Sequence, residues 1–326
     1  MVLSFSLFLL IHSAALKSVP KFISNFIQSM DGEKDPRNLL LAFRCIRFIV
    51  LHFPIDDYAE ELFDVTFCYF PVTFRAPPND PSGISADQLK EELRLCFSSS
   101  PLFAKHAMPL LMEKLSSTNP NAKRDTLEVL SDVARIYGVE HLLPFEEELW
   151  RDIRDSIFHP LKEDHVEPAI RALKAVLLCY ASSPEKRAKN AFNEIMRRLE
   201  SDIRDSLKMP PTKQTSTIPQ LVSGLDFEQA NTLFVKFVPF YLKFVEEAKE
   251  RVFLETLKEI IRVKSTLKMK QDLVNDFKSD ICNALISNIS FYGVLAIETL
   301  VVMHKMKMIE SNEVFYLSLF SLSLIS

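Results

Sequence analysis

The residues of this chain whose types suit metal binding gather between positions 159 and 167. They are two histidines and three acids: His159, Glu163, Asp164, His165 and Glu167. The histidines are six residues apart across a turn that contains Pro160, and no zinc-ligand spacing, H-x-x-x-H included, reproduces that separation. We therefore interpret the cluster as a solvated turn and assign neither a metal site nor a cofactor to the chain.

Acid–base catalysis would need a carboxylate whose pKa is shifted by an apolar pocket, and the sequence indicates no such place. The neighbouring acids at residues 56–57 and 146–148 are predicted to lie on polar helix faces, where a carboxylate stays solvated. No serine lies in a nucleophile-elbow sequence, and the chain contains neither a P-loop nor a G-x-G-x-x-G motif. We predict that the protein is not an enzyme and has no catalytic residues.

The cysteines are scattered along the chain, at Cys45, Cys68, Cys96, Cys179 and Cys282. Because none is two or three residues from another, they do not form a local zinc or iron–sulfur ligand set of the C-x-x-C kind. Isolated cysteines of this kind are typical of buried thiols in a reducing compartment.

Basic residues concentrate on one predicted helix and its exit, at Lys186, Arg187, Lys189, Arg197, Arg198, Arg204 and Lys208. Acids lie among them, which is typical of a solvated face. The functional alternative is contact with an acidic protein partner, through Arg187, Arg197, Arg198 and Arg204. Direct nucleic-acid binding by the same face stays a second alternative, although no row of aromatic residues would stack bases. The net charge of −4 gives no general attraction to nucleic acid or anionic membrane.

The elements that carry these residues are predicted to be amphipathic helices joined by short polar turns. From Pro101 to Leu207 four of them follow one another, with apolar residues three or four positions apart. Asn119-Pro120 is typical of a helix start, Gly138 of a helix end, and Ser183-Pro184 opens the fourth helix. The four apolar faces consist of Leu127, Leu130, Ala134 and Tyr137; Leu142, Leu149, Ile153 and Ile157; Val166, Ile170, Leu173, Leu177 and Tyr180; and Ala188, Phe192, Ile195, Leu199 and Ile203.

A helix with one apolar face cannot bury that face alone, so neighbouring helices must stack. Residues 106–115 resemble residues 190–199, and the offset of 84 is two HEAT or armadillo units of about 40–47 residues. Pro109, Pro144 and Pro239 are expected to bend three helices at similar points. Only five glycines occur, which argues against α/β nucleotide-binding folds. The sequence predicts an all-α fold, a HEAT/armadillo-like helical-repeat solenoid of stacked antiparallel helix pairs; a non-repetitive helical bundle is the alternative.

Composition divides the chain into five segments. They are an apolar amino-terminal segment with a first short helix (1–30), HEAT-like repeats with a proline-rich loop at 70–85 (31–207), a linker (208–217), further HEAT-like helices (218–313) and an atypical apolar tail (314–326). Asp35-Pro36 and the capping box Ser85–Gln88 predict two helix starts within the repeats. Because the tail carries no polar cap, the array is expected to be cut off rather than finished.

The first 16 residues are apolar and are compatible with a secretory signal cleaved near Ser13-Ala14-Ala15. No Lys or Arg precedes the apolar run, His12 interrupts its end, and it is too short to span a membrane. We interpret the segment as a buried first helix, and a secreted helical protein stays an alternative.

Three stretches carry a resemblance more specific than helix stacking requires. They occur in one order, at Asp31–Leu40 (DGEKDPRNLL), Glu60–Phe74 (EELFDVTFCYFPVTF) and Pro77–Ile84 (PPNDPSGI). The chain resembles the amino-terminal domain of the HEAT-repeat scaffold family of the cytosolic iron–sulfur protein assembly (CIA) targeting complex. The residues that carry the resemblance are Glu33, Lys34, Asp35, Pro36, Arg37, Tyr69, Phe70, Pro71, Pro77, Pro78, Asn79, Asp80, Pro81 and Gly83.

The resemblance implies a non-catalytic adaptor in cytoplasm and nucleus that helps deliver iron–sulfur clusters to apo-proteins of DNA repair, replication and transcription. Its implied partners are the other CIA targeting subunits and apo iron–sulfur clients such as DNA helicases, and it holds no cluster itself. Nucleic acid and membrane are not implied as partners. Members of the family are longer, and their carboxy-terminal repeats are associated with docking the other subunits. Met1–Ala15 and Val314–Ser326 do not resemble the family.

Overall fold

The computed structural model describes residues 19–76 and 83–208, together with the isolated residues Lys17, Leu221, Lys258, Val301, Met303 and His304. The described residues up to Lys189, apart from 157–159, belong to one unit, and those from Asn190 belong to a second. The predicted linker, the later helices and the apolar tail lie outside the described ranges, as do residues 1–16 and Pro239. Those assignments therefore stay predictions.

Every regular element in the described ranges is helical, which confirms the all-α prediction. The helices are Phe22–Met30 (α1), Pro36–His52 (α2), Ala59–Phe67 (α3), Ala86–Phe97 (α4), Ala104–Leu115 (α5), Pro120–Tyr137 (α6), Val139–Leu142 (α7), Glu146–Phe158 (α8), Val166–Ser182 (α9) and Lys186–Lys208 (α10). Short 3-10 turns lie at Asp56–Tyr58, Pro101–Phe103, Leu143–Phe145 and Glu163–His165. None of these helices is long and apolar enough to cross a membrane.

The helix ends form where the capping residues predict them. The carboxylate of Asp35 accepts the amide of Arg37 at the start of α2. At α4, the Ser85 hydroxyl and the Gln88 side chain each accept the other's backbone N–H, which is a capping box. Asn119 caps α6, and Gly138 ends it with a φ of +77°. These local bonds satisfy N–H groups that helix geometry leaves without partners.

Alternate helices pack against one another, which is the arrangement of a helical repeat. One layer contains α1, α3 and α5, each packed on the next. The second layer contains α2, α4, α6 and α9 in the same relation. The apolar faces predicted for α6 and α9 are buried between the layers. Stacking of this kind lets each helix cover part of its neighbour's apolar face.

Three sequence predictions about the helices are wrong. Five long helices, α5, α6, α8, α9 and α10, occur between Pro101 and Leu207, where four were expected. Pro109 does lie inside α5, but Pro144 lies in the first turn of the 3-10 segment before α8. Proline fits there because its missing N–H would have no helical partner. The last helix begins at Lys186 rather than at Ser183-Pro184, and Phe192 within it is only half-buried.

Candidate partner-binding surface

Two of the stretches that carry the family resemblance meet in space at Tyr69. The Tyr69 hydroxyl lies 3.0 Å from the carbonyl oxygen of Met30 and 3.1 Å from that of Glu33. The turn between α1 and α2 is thereby tied to the end of α3. This contact spans 39 residues of sequence, so it is a tertiary contact and not a local cap.

The acids of the first stretch are committed to holding that turn. The Glu33 carboxylate accepts the amides of Lys34 and Asp35 at 2.8 Å and the side-chain amide of Asn38 at 2.9 Å. These hydrogen bonds lower the pKa of Glu33. The guanidinium of Arg37 and its backbone amide lower the pKa of Asp35 to about 2. These residues therefore stabilise the start of α2 as hydrogen-bonded carboxylates.

The second stretch ends in an aromatic cluster inside the array. The rings of Phe67 and Phe97 lie 5.4 and 5.8 Å from that of Phe70. Phe63 contacts Phe97 and Phe103 at ring-centroid distances of 5.7 and 5.9 Å. The Phe70-Pro71 peptide bond is cis. Of the third stretch, only Gly83 and the residues after it are described, so Pro77, Pro78, Asn79, Asp80 and Pro81 lie outside the described residues.

A shallow recess lies beside this cluster, with an empty volume of about 220 Å³ that includes its open mouth. It is lined by Phe70, Val72, Lys90, Leu93, Arg94, Asp125 and Glu128. Asp125 is buried, and burial raises its pKa while the ion pair with Lys90 opposes the rise. Within the described ranges its Oδ2 atom has no hydrogen-bond partner. The recess thus combines one acceptor oxygen with an apolar wall.

Ion pairs connect the helices of the second layer. Arg44 and Arg47 of α2 donate to the two carboxylate oxygens of Glu92 on α4, at 2.8 and 3.0 Å. On the other side of α4, the Lys90 ammonium lies 2.8 Å from Asp125 of α6. The charges of α4 are thereby held from both sides.

The network continues from α4 to α9 through one carboxylate. Glu128 of α6 accepts a hydrogen bond of 2.7 Å from Arg94 and lies 3.6 Å from Arg124 and 3.9 Å from Arg171. Arg171 in turn lies 3.3 Å from Glu167. Cations and acids alternate along this face, so it presents no strong field of one sign.

The sequence offered a signal for this network that a search for local motifs misses. Lys90 and Arg94 are four residues apart on α4, and Asp125, Glu128 and Asp132 follow the same helical spacing on α6. Which helices face each other is a tertiary property, so the pairing itself could not be predicted.

The four arginines chosen as partner contacts have different surroundings. Arg197 and Arg198 both donate to Glu194, through N–O distances of 2.7 Å. The two guanidinium groups lower the pKa of Glu194 to about 2. Arg187 is exposed on the first turn of α10, and the side chain of Arg204 lies outside the described residues. Their use by a partner stays a prediction.

The interpretation of residues 159–167 as a solvated turn is wrong for His165. Its side chain is fully buried, and its two ring nitrogens have no hydrogen-bond partner among the described groups. His159 and the three acids are exposed, as the turn prediction has it. In the described residues, no three His, Cys, Asp or Glu side chains come together as metal ligands would.

The prediction of buried thiols holds for two cysteines and fails for one. Cys96 and Cys179 are buried, whereas Cys45 is half-buried and Cys68 is exposed. Cys68 is exposed because it follows the last residue of α3, beyond the packed part of that helix. Burial raises the pKa of Cys45 to about 11 and raises those of Cys96 and Cys179 as well. Cys282 lies outside the described residues.

Comparison with known proteins gives a consistent family. The family model described as Dos2-interacting transcription regulator of RNA-Pol-II, the MMS19 amino-terminal model, matches residues 2–159. The MMS19 nucleotide excision repair protein homolog of Homo sapiens is 32% identical over 274 residues, which are 80% of this chain and 27% of that protein. The DNA repair/transcription protein MMS19 of Saccharomyces cerevisiae is 41% identical over 137 residues, 42% of this chain and 13% of that protein.

Two facts about coverage follow. The chain spans about 27% of the length of its human and mouse relatives. The family match begins at residue 2, so the expectation that Met1–Ala15 are unlike the family is wrong. An engineered protein of known structure aligns with 88% of this chain at 11% identity and a TM-score of 0.34, a likeness too weak to specify a fold.

Proposed function

This chain belongs to the MMS19 family of DNA repair and transcription proteins, and from that membership we propose that it is a non-catalytic adaptor of cytosolic iron–sulfur assembly. In this role it binds apo iron–sulfur proteins of DNA repair, replication and transcription, such as helicases, in the cytoplasm and nucleus. The observation that carries the proposal is the match to the human homolog over 80% of the chain. The motif resemblance over residues 31–84 supports the iron–sulfur part.

The electrostatics of the described surface support an adaptor. The acids with lowered pKa values, Glu33, Asp35 and Glu194, are bound to helix caps or to arginines. They are therefore held as carboxylates and are poor general acids or bases at neutral pH. The mixed ion pairs of the second layer suit a protein partner, because complementary local charges give specificity without a strong overall field.

The state of the thiols supports an adaptor that carries no cluster of its own. A cysteine binds iron as a thiolate, and the raised pKa values of Cys45, Cys96 and Cys179 keep these thiols protonated. Cluster ligands are instead supplied by the client. In this proposal the chain contributes the amino-terminal client-binding part of the longer relatives.

The proposal is tested with the whole chain immobilised and a purified iron–sulfur helicase offered in apo and cluster-loaded forms. We expect the apo form to be retained more strongly than on an unrelated HEAT-repeat scaffold of similar charge. Retention equal to that of the unrelated scaffold would reject the adaptor function.

The predicted arginine face is tested in the same assay. The double substitution Arg197→Glu and Arg198→Glu should reduce retention, while Arg75→Glu, at an exposed arginine between α3 and α4, should not. Equal losses from both variants would reject the arginine face and leave the adaptor function standing.

Direct nucleic-acid binding is the alternative, and it has less support because Glu194 binds both Arg197 and Arg198. It requires an affinity for DNA or RNA that falls steeply as salt rises, since counterions are released on binding. A titration with single- and double-stranded DNA at several salt concentrations decides this, and a flat response rejects the alternative.

A further inference from the structure

Helix α2 has apolar side chains on the face that points away from the core. Leu41 is 43% exposed and Leu51 is 65% exposed, and Phe48 between them is half-buried. The opposite face of α2 is already filled by the buried residues Leu39, Phe43, Ile46 and Ile49. Packing of the described array therefore does not account for the outer leucines.

The exposed apolar residues share one line along the helix with two arginines. This line, which we name the α2 stripe, consists of Arg37, Leu41, Arg44, Phe48 and Leu51. Its spacing of four, three, four and three residues is that of the seam through which one helix packs along another. With a rise of 1.5 Å per residue the stripe is about 21 Å long, enough for three turns or more of a partner helix.

The charge of α2 is of one sign. From Pro36 to His52 the helix contains Arg37, Arg44 and Arg47 and no acid. Arg44 and Arg47 share the single carboxylate of Glu92, so one positive charge of this trio is in excess. A partner with acidic residues beside its apolar positions would complement both features.

We propose that the α2 stripe docks an acidic amphipathic helix of a protein partner. The apolar residues of that helix would contact Leu41, Phe48 and Leu51, and its acids would approach Arg37 and Arg44. A second copy of this chain is disfavoured as the occupant, because it would bring a basic stripe against a basic stripe. The inference rests on the proposed adaptor function only in that the partner is a protein.

The test uses the whole chain and designed peptides as probes. A fluorescein-labelled helical peptide of about 21 residues carries leucine at the a and d positions of each heptad and glutamate at e and g. One control peptide has lysine in place of glutamate, and another has the acidic composition with its leucines scrambled off the seam. We expect saturable binding of the acidic amphipathic peptide by fluorescence anisotropy, with at least about tenfold weaker binding of both controls.

Matched surface substitutions locate the binding. Leu41→Glu and Leu51→Glu should each weaken binding by about tenfold, since they place an acid against the acidic helix. Leu102→Glu and Leu161→Glu are the controls, because those leucines are 40% and 55% exposed elsewhere on the surface. All four sites are exposed, so the fold should survive, which circular dichroism checks.

The proposal is overturned by any of three results: no saturable binding of the acidic peptide, equal binding of the lysine or scrambled peptide, or equal loss from the Leu161→Glu control. Because no iron–sulfur client is present, these results are separate from those of the helicase retention assay. Client retention with no peptide binding would reject the α2 stripe alone. Peptide binding without client retention would reject the proposed client.

Discussion

The hydroxyl of Tyr69 lies 3.0 Å from the carbonyl oxygen of Met30, so the residue that ends α1 is bonded to a residue just beyond the end of α3. This bond joins two helices of the first layer around the turn that leads into α2. It explains why residues from two separate stretches of the family resemblance occur together. They form one joint of the array.

Replacing Tyr69 with phenylalanine should weaken this joint. The carbonyl oxygen of Glu33 loses the hydroxyl donor, so we expect a loss of about 1 kcal/mol in the free energy of unfolding, measured by urea denaturation. Tyr58→Phe is the control, because the hydroxyl of Tyr58 makes no hydrogen bond within the described part of the chain and its removal should be near neutral. Equal effects of the two substitutions would contradict a structural role for the Tyr69 hydroxyl.

Replacing Glu92 with glutamine should loosen α2 from α4. Arg44 and Arg47 would keep their partly buried positions but lose the charge that pairs with them, at a cost of about 1–2 kcal/mol. Glu91 is the matched control: it is the adjacent residue and is exposed, so Glu91→Gln should change stability by less than about 0.5 kcal/mol. Urea denaturation of both variants measures the difference, and equal stabilities would show that the pairs are energetically neutral.

Replacing Gly138 with alanine should strain the exit from α6. The backbone there has φ +77° and ψ 170°, a conformation that side-chain-bearing residues rarely adopt. A Cβ at this position would meet no atom within 4 Å, so the cost comes from the backbone alone and should be about 1–3 kcal/mol. A thermal melt that leaves the midpoint unchanged would contradict this expectation.

The burial of His165 should make stability depend on pH. Burial lowers its pKa below 6.5, and the nearby Lys123, Arg124 and Lys162 lower it further while Asp164 opposes them. Between that lowered pKa and 6.5 the unfolded chain binds more protons than the folded one, so stability is present above pH 6.5 and is lost as pH falls through this window.

His165→Leu removes this proton-binding group while filling a similar volume. We therefore expect the unfolding midpoint in urea to fall less for the variant than for the natural chain when pH drops from about 7.5 to about 5.5. Carboxylates titrate in both proteins, so their contribution cancels in the comparison. Identical pH dependence in the two proteins would exclude His165 as its source.

Local features of the chain were predictable because they depend on neighbours within a few residues. Asp35, Ser85, Asn119 and Gly138 mark helix ends through bonds or backbone angles within one turn. The break between α7 and α8 was missed because the apolar spacing of Leu142, Leu149, Ile153 and Ile157 continues across it. Periodicity reports which side of a segment is apolar and is insensitive to a short 3-10 turn.

The sequence by itself determined that this chain is helical, where most of its described helices begin, and which family it belongs to. The tertiary structure decided which charged residues pair, that His165 is buried, and that α2 keeps an outer stripe of leucines and arginines. The physical reason is range. A cap or an apolar stripe is set by residues three or four apart, whereas the bonds from Glu92 to Arg44 and Arg47 join residues 48 and 45 positions apart. Their meeting depends on the order in which the helices stack.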